Sequence, residues 1–378
     1  MGSIEEYYIT PTATGSGSGL SEADAMTFTQ MISTSLSSGT PRRFNVKAGT
    51  YTFSANQNMS VGNQSVASRL ELRGYNQTIG DLDDVPHSDW TAGTNAPLIE
   101  NRYLDWDESF VTYRNLYFKP QSGHRFQWDQ SSIKVINCVF DFSSMTTMPN
   151  DGFYWRADNL MYASKFIGVD TTSTASLIKS LNGGNRYVDC IFECTGSGKL
   201  FETGSTTGSE DSFFNCTFVG DGTGTCIGGY VKELVNCTFY NWDKAIAGQP
   251  SGSASNGLAI TPNVISCVFS EIETVYDPPL AFSFNQYDAQ LFMNNVFHNC
   301  TSFNGTNAKG SSDIAYSGNI STSTQPMADP ANDDFSLTDS SEARASNFTY
   351  LHENTALDAG AKQHVSSASG TTIIVIED

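Results

Sequence analysis

The sequence predicts an all-β protein built as a single-stranded parallel β-helix. Three observations carry the prediction. A five-residue pattern ending in phenylalanine recurs through the middle of the chain. Within each copy, apolar and polar residues alternate with period two. Between copies lie Gly-, Ser-, Asn- and Asp-rich stretches that read as turns and show no helical stripe.

The elements follow in chain order. Residues 1–20 form an N-terminal segment with an entry strand. Their sequence, "MGSIEEYYITPTATGSGSG" up to residue 19, is polar and acidic, with no basic start followed by an apolar run, so no signal peptide is expected. Residues 21–40 are expected to form a capping helix. Ala25, Phe28, Ile32 and Leu36 recur at helical spacing, Ser21 stands as the N-cap, and Asp24 follows three residues on. Such a helix would cover the first open coil of a solenoid.

Residues 41–361 form the β-helix itself. "RFNVKAGTYTF" and "RLELRGYN" open it. The repeat then runs through "RNLYF" at Phe118, "INCVF" at Phe140, "YASKF" at Phe166, "VDCIF" at Phe192, "FNCTF" at Phe218, "VNCTF" at Phe239, "ISCVF" at Phe269 and "MNNVF" at Phe297, in steps of 21 to 30 residues. Period two places Cys216 and Phe214 inward with Phe218, and likewise Cys138 with Ile136, Cys237 with Val235 and Cys267 with Ile265. Asn215 and Thr217 then face outward. A βαβ array would need a helix in each interval, and a propeller needs about 40 residues per blade. The count comes to roughly ten to twelve coils, about 50 Å long at about 4.8 Å per coil. Residues 362–378 form a C-terminal tail, and its strand "TTIIVIED" could pair with the edge of a neighbour.

Three stretches carry a family resemblance: "YYITPTATGSGSGLSEADAM", "VKAGTYTF" with "LELRGYN", and "DFSLTDSSEARASNFTYLHENTALDAGA". They resemble the entry, first coils and closing segment of the pectate-lyase-like superfamily, the right-handed parallel β-helices of polysaccharide lyases, glycosidases and phage tailspikes. The resemblance implies the fold and its hand over most of residues 5 to 361. The paired arginines and calcium aspartates of pectate lyases have no counterpart in this sequence, nor have the clustered aspartates of polygalacturonases.

Composition excludes several function classes. The formal net charge is −20, from 40 acidic and 20 basic residues, which repels nucleic acid and anionic lipid. The same charge argues against a polyuronate or other polyanionic substrate unless metal ions intervene. No apolar run reaches the length of a membrane span. Eight cysteines without a Cys-x-x-Cys pair argue against a zinc site, and the length of the chain argues against a disulfide scaffold. No cofactor and no metal is expected.

The repeated cysteines read as packing residues, since Ser164 and Asn295 replace them in two copies. Outward Val139, Ile191, Thr217, Thr238 and Val268 fit either an exposed sheet or one buried on a partner subunit, as around a threefold axis. Asp141 and Glu193 hold equivalent outward places two coils apart, about 10 Å by strand spacing. That is near the upper limit for an inverting glycosidase pair. They are the candidate catalytic residues, although chance placement among 40 acids weighs against them. His298 falls in the same row and reads as a surface histidine. "GDLDDVPHSDW" (Gly80–Trp90) reads as a solvated acidic loop without EF-hand spacing. Trp90, Trp106, Trp128, Trp155 and Trp242 lie in or beside the intervals, either as sugar platforms or folded back on the coils.

The resulting expectation is a virion structural protein: a spike, fibre or capsid-decorating projection, made in the host cytoplasm, without enzymatic activity. It would be homotrimeric, would assemble with other virion proteins and would contact a host-surface glycan. The alternatives are a polysaccharide depolymerase, whether glycosidase or lyase, and a carbohydrate-binding adhesin.

Overall fold

The computed structural model describes residues 4–344 apart from several stretches, of which the longest are 204–210, 248–262, 278–289 and 305–313, and beyond them only 348–349 and 356–357. The described chain is a parallel β-solenoid with almost no helix. Each full turn lays three short strands on three faces. The first ladder stacks twelve strands, from Glu5–Ile9 to Ile314–Ser317. The second starts at Gly49–Phe53, and the third at Gln57–Met59. Two ten-residue strands, Thr238–Ala247 and Val268–Asp277, run through both the second and third ladders.

The phenylalanine alignment holds as a register. Phe118, Phe140, Phe166, Phe192, Phe218, Phe239, Phe269 and Phe297 are successive partners in the second ladder. Their rings stack nearly parallel along the axis, for example 4.5 Å apart at 8° between Phe140 and Phe166 and 4.8 Å at 5° between Phe239 and Phe269. About 8 turns make the regular solenoid, one for each stacked phenylalanine, against the ten to twelve coils expected. Further strands extend the twelve-stranded ladder at both ends. The first ladder supplies the facing core column of Tyr113, Val135, Met161, Tyr187, Phe213, Leu234, Val264 and Phe292, all buried. The third supplies Trp128, Trp155, Ile178, Phe201, Ile227 and Ile246.

The repeat motif is two strands and not one. In "FFNCTF" the first ladder ends at Phe214 and the second begins at Thr217. Asn215 between them adopts the left-handed conformation, φ 54°. So do Asn115, Asn137, Ala163, Asp189, Asn236, Ser266 and Asn294 at the same corner. Asn and Asp tolerate this region best among residues with a side chain, which is why they precede the cysteine. The bend shifts the alternation by one place. Phe213 and Leu234 point inward. Ile136, Phe214, Val235 and Ile265, expected inside, lie on the outer face of the first ladder.

The five repeat cysteines, Cys138, Cys190, Cys216, Cys237 and Cys267, are buried, and they also hold the corner. Cys216 Sγ donates to its own Phe214 carbonyl at 3.3 Å and to Tyr187 of the preceding turn at 3.4 Å. Cys138, Cys190, Cys237 and Cys267 repeat this pair of contacts. Ser164 Oγ donates to the Tyr162 carbonyl at 2.9 Å, and Asn295 Nδ2 to that of Val264 at 3.0 Å. Serine and asparagine replace cysteine because they preserve the donor. Burial pushes the Cys138 thiol up to about 12, so it stays protonated and inert.

Ala163 is the one corner residue in this row with neither a polar side chain nor a glycine's freedom. Ala163→Asn is expected to stabilise the fold by roughly 1 kcal/mol, read as a higher urea midpoint at unchanged slope.

The N-terminal segment departs from expectation. The Ser21 side chain caps no backbone amide, and residues 22–24 form only one 3₁₀ turn. Met26 instead bridges to Ile9 in extended form. The helix is six residues long, Phe28–Ser33. Its capping box is Thr27 with Gln30: the Gln30 amide donates to Thr27 Oγ1 at 3.2 Å, and the Thr27 amide donates to Gln30 Oε1 at 2.7 Å. Phe28 packs on Tyr51 and Phe53. A 20-residue capping helix is therefore not present among the described residues. The C-terminal strand at 371–378 lies outside them.

Candidate functional site

The second ladder's outer face carries a column of side chains one residue past each stacked phenylalanine. In order these are Lys119, Asp141, Ile167, Glu193, Val219, Tyr240, Ser270 and His298. Two segments from distant parts of the chain lie over the two ends of this face. Residues 80–96 bring Leu82, Val85, Trp90 and Ala96 onto Tyr117, Val139 and Ile167. Residues 327–343 bring Met327, Phe335, Leu337 and Ala343 onto Val268, Val296, Val219, Tyr240 and Ile320.

Both walls are tied down. Asp81 accepts the amides of Asn76, Gln77 and Thr78 at 2.9, 2.7 and 2.9 Å. Asp83 pairs with Arg73 and accepts from Asn115 Nδ2 at 2.6 Å. Asn137 Nδ2 donates to the Leu82 carbonyl at 2.9 Å and to Asn115 Oδ1 at 2.9 Å. The acidic loop packs Leu82 and Trp90 on the sheet and keeps Asp81, Asp84 and Asp89 exposed, so it is a wall with a solvated outer side. The second wall is a hairpin, Met327–Asp329 against Asp334–Leu337. Gln325 Nε2 donates to Ser270 Oγ at 3.2 Å.

Between the walls the floor is half-buried at Lys165, Ile191 and Glu193. Lys165 Nζ stands 2.5 Å from Glu193 Oε1. Burial raises the Glu193 carboxyl above its ordinary range; the lysine opposes this and the charge of Asp333 adds to it. Asp333 belongs to the second wall and takes the left-handed conformation, φ 63°. On the other side, burial pushes His87 down to about 4, with the Lys165 charge adding to the effect. The imidazole is therefore neutral at pH 7. Its ring meets Trp90 edge-on at 4.9 Å, and its Nε2 is buried without a hydrogen-bond partner among the described residues. Lys165 and Glu193 thus form a contacting pair on the floor, with Asp333 and His87 coupled to it through charge alone. Such a group can hold an anion and move a proton.

Asp141 and Glu193 share one column two strands apart, as the spacing predicts. Their environments differ. Asp141 is buried, with Oδ2 accepting from Tyr117 OH at 2.7 Å and Oδ1 from the Ser143 amide and hydroxyl at 2.9 and 2.5 Å. It fastens the floor beside the first wall and does not face Glu193 as a free partner. Sequence reasoning missed Lys165 and Asp333. Lys165 was legible as the residue before Phe166, directly opposite Ile191 in the ladder. Asp333 arrives through a return of the chain that no local pattern announces.

Other expectations are corrected. His298 is buried, with Nδ1 3.0 Å from Ser270 Oγ and 3.6 Å from Glu271 Oε1. Serine and glutamate address the same nitrogen, and Ser270 is buried beneath Gln325, so the three do not form a nucleophilic triad. Trp128, Trp155 and Trp242 are core residues, which excludes them as sugar platforms, and Trp90 is buried in the first wall. The side chain of Trp106 lies outside the described residues. Val139 and Val268 are buried beneath the chain's own walls, Thr217 and Thr238 are buried too, and Ile191 is half-buried, so this row is not the exposed sheet. Among the described residues, no three His, Cys, Asp or Glu side chains converge as metal ligands.

The described chain aligns with a pectate lyase, Pel9A, at a TM-score of 0.58 and 16% identity, over 96% of this chain and 97% of that one. The parallel β-helix fold is common to both. A rhamnogalacturonan lyase aligns at TM-score 0.47 and 12% identity, covering 83% of this chain and 87% of that one. A family 6 polysaccharide lyase from Pseudopedobacter saltans aligns at 0.39 and 10%, covering 85% and 95%. No protein-family model and no curated protein matches the chain.

Proposed function

We propose that the protein binds and cleaves a polysaccharide across the outer face of the second ladder, between the two walls. The observation that carries this reading is the Lys165–Glu193 pair on the open floor, with its carboxyl raised by burial. The fold shared with a pectate lyase supports it. Lys165 supplies a cation for an acidic sugar in a chain that otherwise repels anions. Glu193 takes the proton α to the sugar carboxylate as the β C–O bond to the next sugar breaks and a C=C bond forms. The departing oxygen is protonated from water. The depolymerase alternative thus gains support that the virion role, the first expectation from sequence, does not have.

The test is a panel of acidic and neutral polysaccharides, assayed for unsaturated ends by ultraviolet absorbance and for reducing ends. Glu193→Gln is expected to lower turnover by roughly 10²–10⁴-fold, and Lys165→Met to weaken binding of acidic chains. Cleavage at wild-type rate by the Glu193→Gln protein would remove Glu193. Reducing ends without unsaturation would replace elimination by hydrolysis. Glycan binding with no product from the wild-type protein would select the adhesin reading.

A further inference from the structure

The bend at the left-handed corner has a second result. It turns one apolar residue per turn onto the outer face of the first ladder. Ile136, Tyr162, Val188, Phe214, Val235, Ile265 and Met293 are register partners in seven successive turns. No charge interrupts the column, which runs about 29 Å at strand spacing. Tyr162 is 40% exposed, and all the others except Val235 are half-buried. Arg114 precedes the column and Ser317 follows it. An uninterrupted apolar stripe on a chain of net charge −20 is an interaction surface more readily than a solvated one.

The neighbouring outward column identifies the occupant. Two places before each stripe residue stand Lys134, Leu160, Arg186, Ser212, Glu233, Asn263 and Leu291. A twofold axis parallel to the strands and passing through the turn of Phe214 lays the stripe on itself with the solenoid axes antiparallel. Phe214 then meets Phe214, Val188 meets Val235, Tyr162 meets Ile265, and Ile136 meets Met293. The same operation sets Arg186 against Glu233, twice. Glu233 accepts from its own Ser212 at 3.1 Å and reaches Lys232 only at 3.9 Å, so it can accept a further cation. The surface is therefore complementary to itself along the apolar stripe and at the Arg186–Glu233 pair, with Lys134 opposite Leu291 at the two ends, as an isologous interface allows.

We infer that two copies of this chain associate through the outer face of the first ladder, antiparallel, about a twofold axis at Phe214. This leaves the floor at Lys165 and Glu193 on a different face of each copy.

Light scattering and sedimentation across micromolar concentrations test it. The wild-type protein is expected at twice the chain mass of 41.0 kDa. Arg186→Glu and Glu233→Arg, each alone, place like charges together and are expected to raise the dissociation constant at least tenfold. The double exchange is expected to restore it. Phe214→Lys is expected to give monomer with an unchanged circular dichroism spectrum. A monomeric wild type, a three-chain mass, or a dimer insensitive to both single exchanges would overturn the inference. If Phe214→Lys misfolds, the two charge exchanges on the surface still decide.

Discussion

Phe218→Ala is expected to lower stability by about 3–5 kcal/mol. Phe218 is fully buried, and its ring stacks on Phe192 at 5.2 Å and on Phe239 at 4.7 Å. It also meets Phe213 edge-on at 5.5 Å. Truncation removes both stacks and opens a void between two turns that rigid strand hydrogen bonds keep from collapsing. In a solenoid each turn touches only its neighbours, so the loss concentrates there. Hydrogen exchange should rise first in the strands Arg186–Val188, Ile191–Thr195 and Thr238–Ala247. The turn of Tyr113, four steps away, should keep its protection. Uniform loss of protection along the whole chain would show one cooperative unit in place of coupled turns.

Asp211→Asn is expected to stabilise the protein at pH 8 by about 3 kcal/mol and to have almost no effect at pH 4. Asp211 ends a ladder of side-chain amides inside the solenoid. Asn159 Oδ1 accepts the Ile133 amide at 2.8 Å, Asn185 Oδ1 accepts that of Asn159 at 3.0 Å, and Asp211 Oδ1 accepts that of Asn185 at 3.0 Å. Burial moves its carboxyl from 3.8 up to about 6, against the hydrogen bonds it accepts. Between these values the folded state binds more protons than the unfolded one. Stability therefore falls as pH rises through that window, and the full cost is present above it. Asparagine keeps the acceptor and carries no charge. Urea titrations of both proteins from pH 4 to 8 read the difference. Parallel curves would mean that the carboxyl does not titrate on folding.

The stacking of turns was legible because phenylalanine repeats at a place where identical rings lie parallel. The corner was not. Asn-Cys after an apolar pair continues a period-two pattern in writing, although the backbone turns at the asparagine. Only the φ of Asn215 distinguishes the two. The helix start was misread for a related reason: Ser21 with Asp24 and Thr27 with Gln30 both spell a capping box, and the chain uses the second. The floor of the candidate site was half legible. Asp141 and Glu193 fall in one column by counting residues. That Asp141 is fully engaged depends on Tyr117 and Ser143, and that Glu193 is raised depends on burial and on Asp333, far along the chain.

Those walls differ in their place along the chain. Residues 80–96 precede the turns they cover, and residues 327–343 follow theirs. A ribosome therefore delivers the first wall before its floor exists and the second only after the stack beneath is complete. Every turn from Phe118 to Phe297 can be in place while Val268 and Val296 still lie bare. The docking of this hairpin therefore follows the stacking of the turns beneath it, and a chain cut before Met327 would lack Asp333 and one side of its groove.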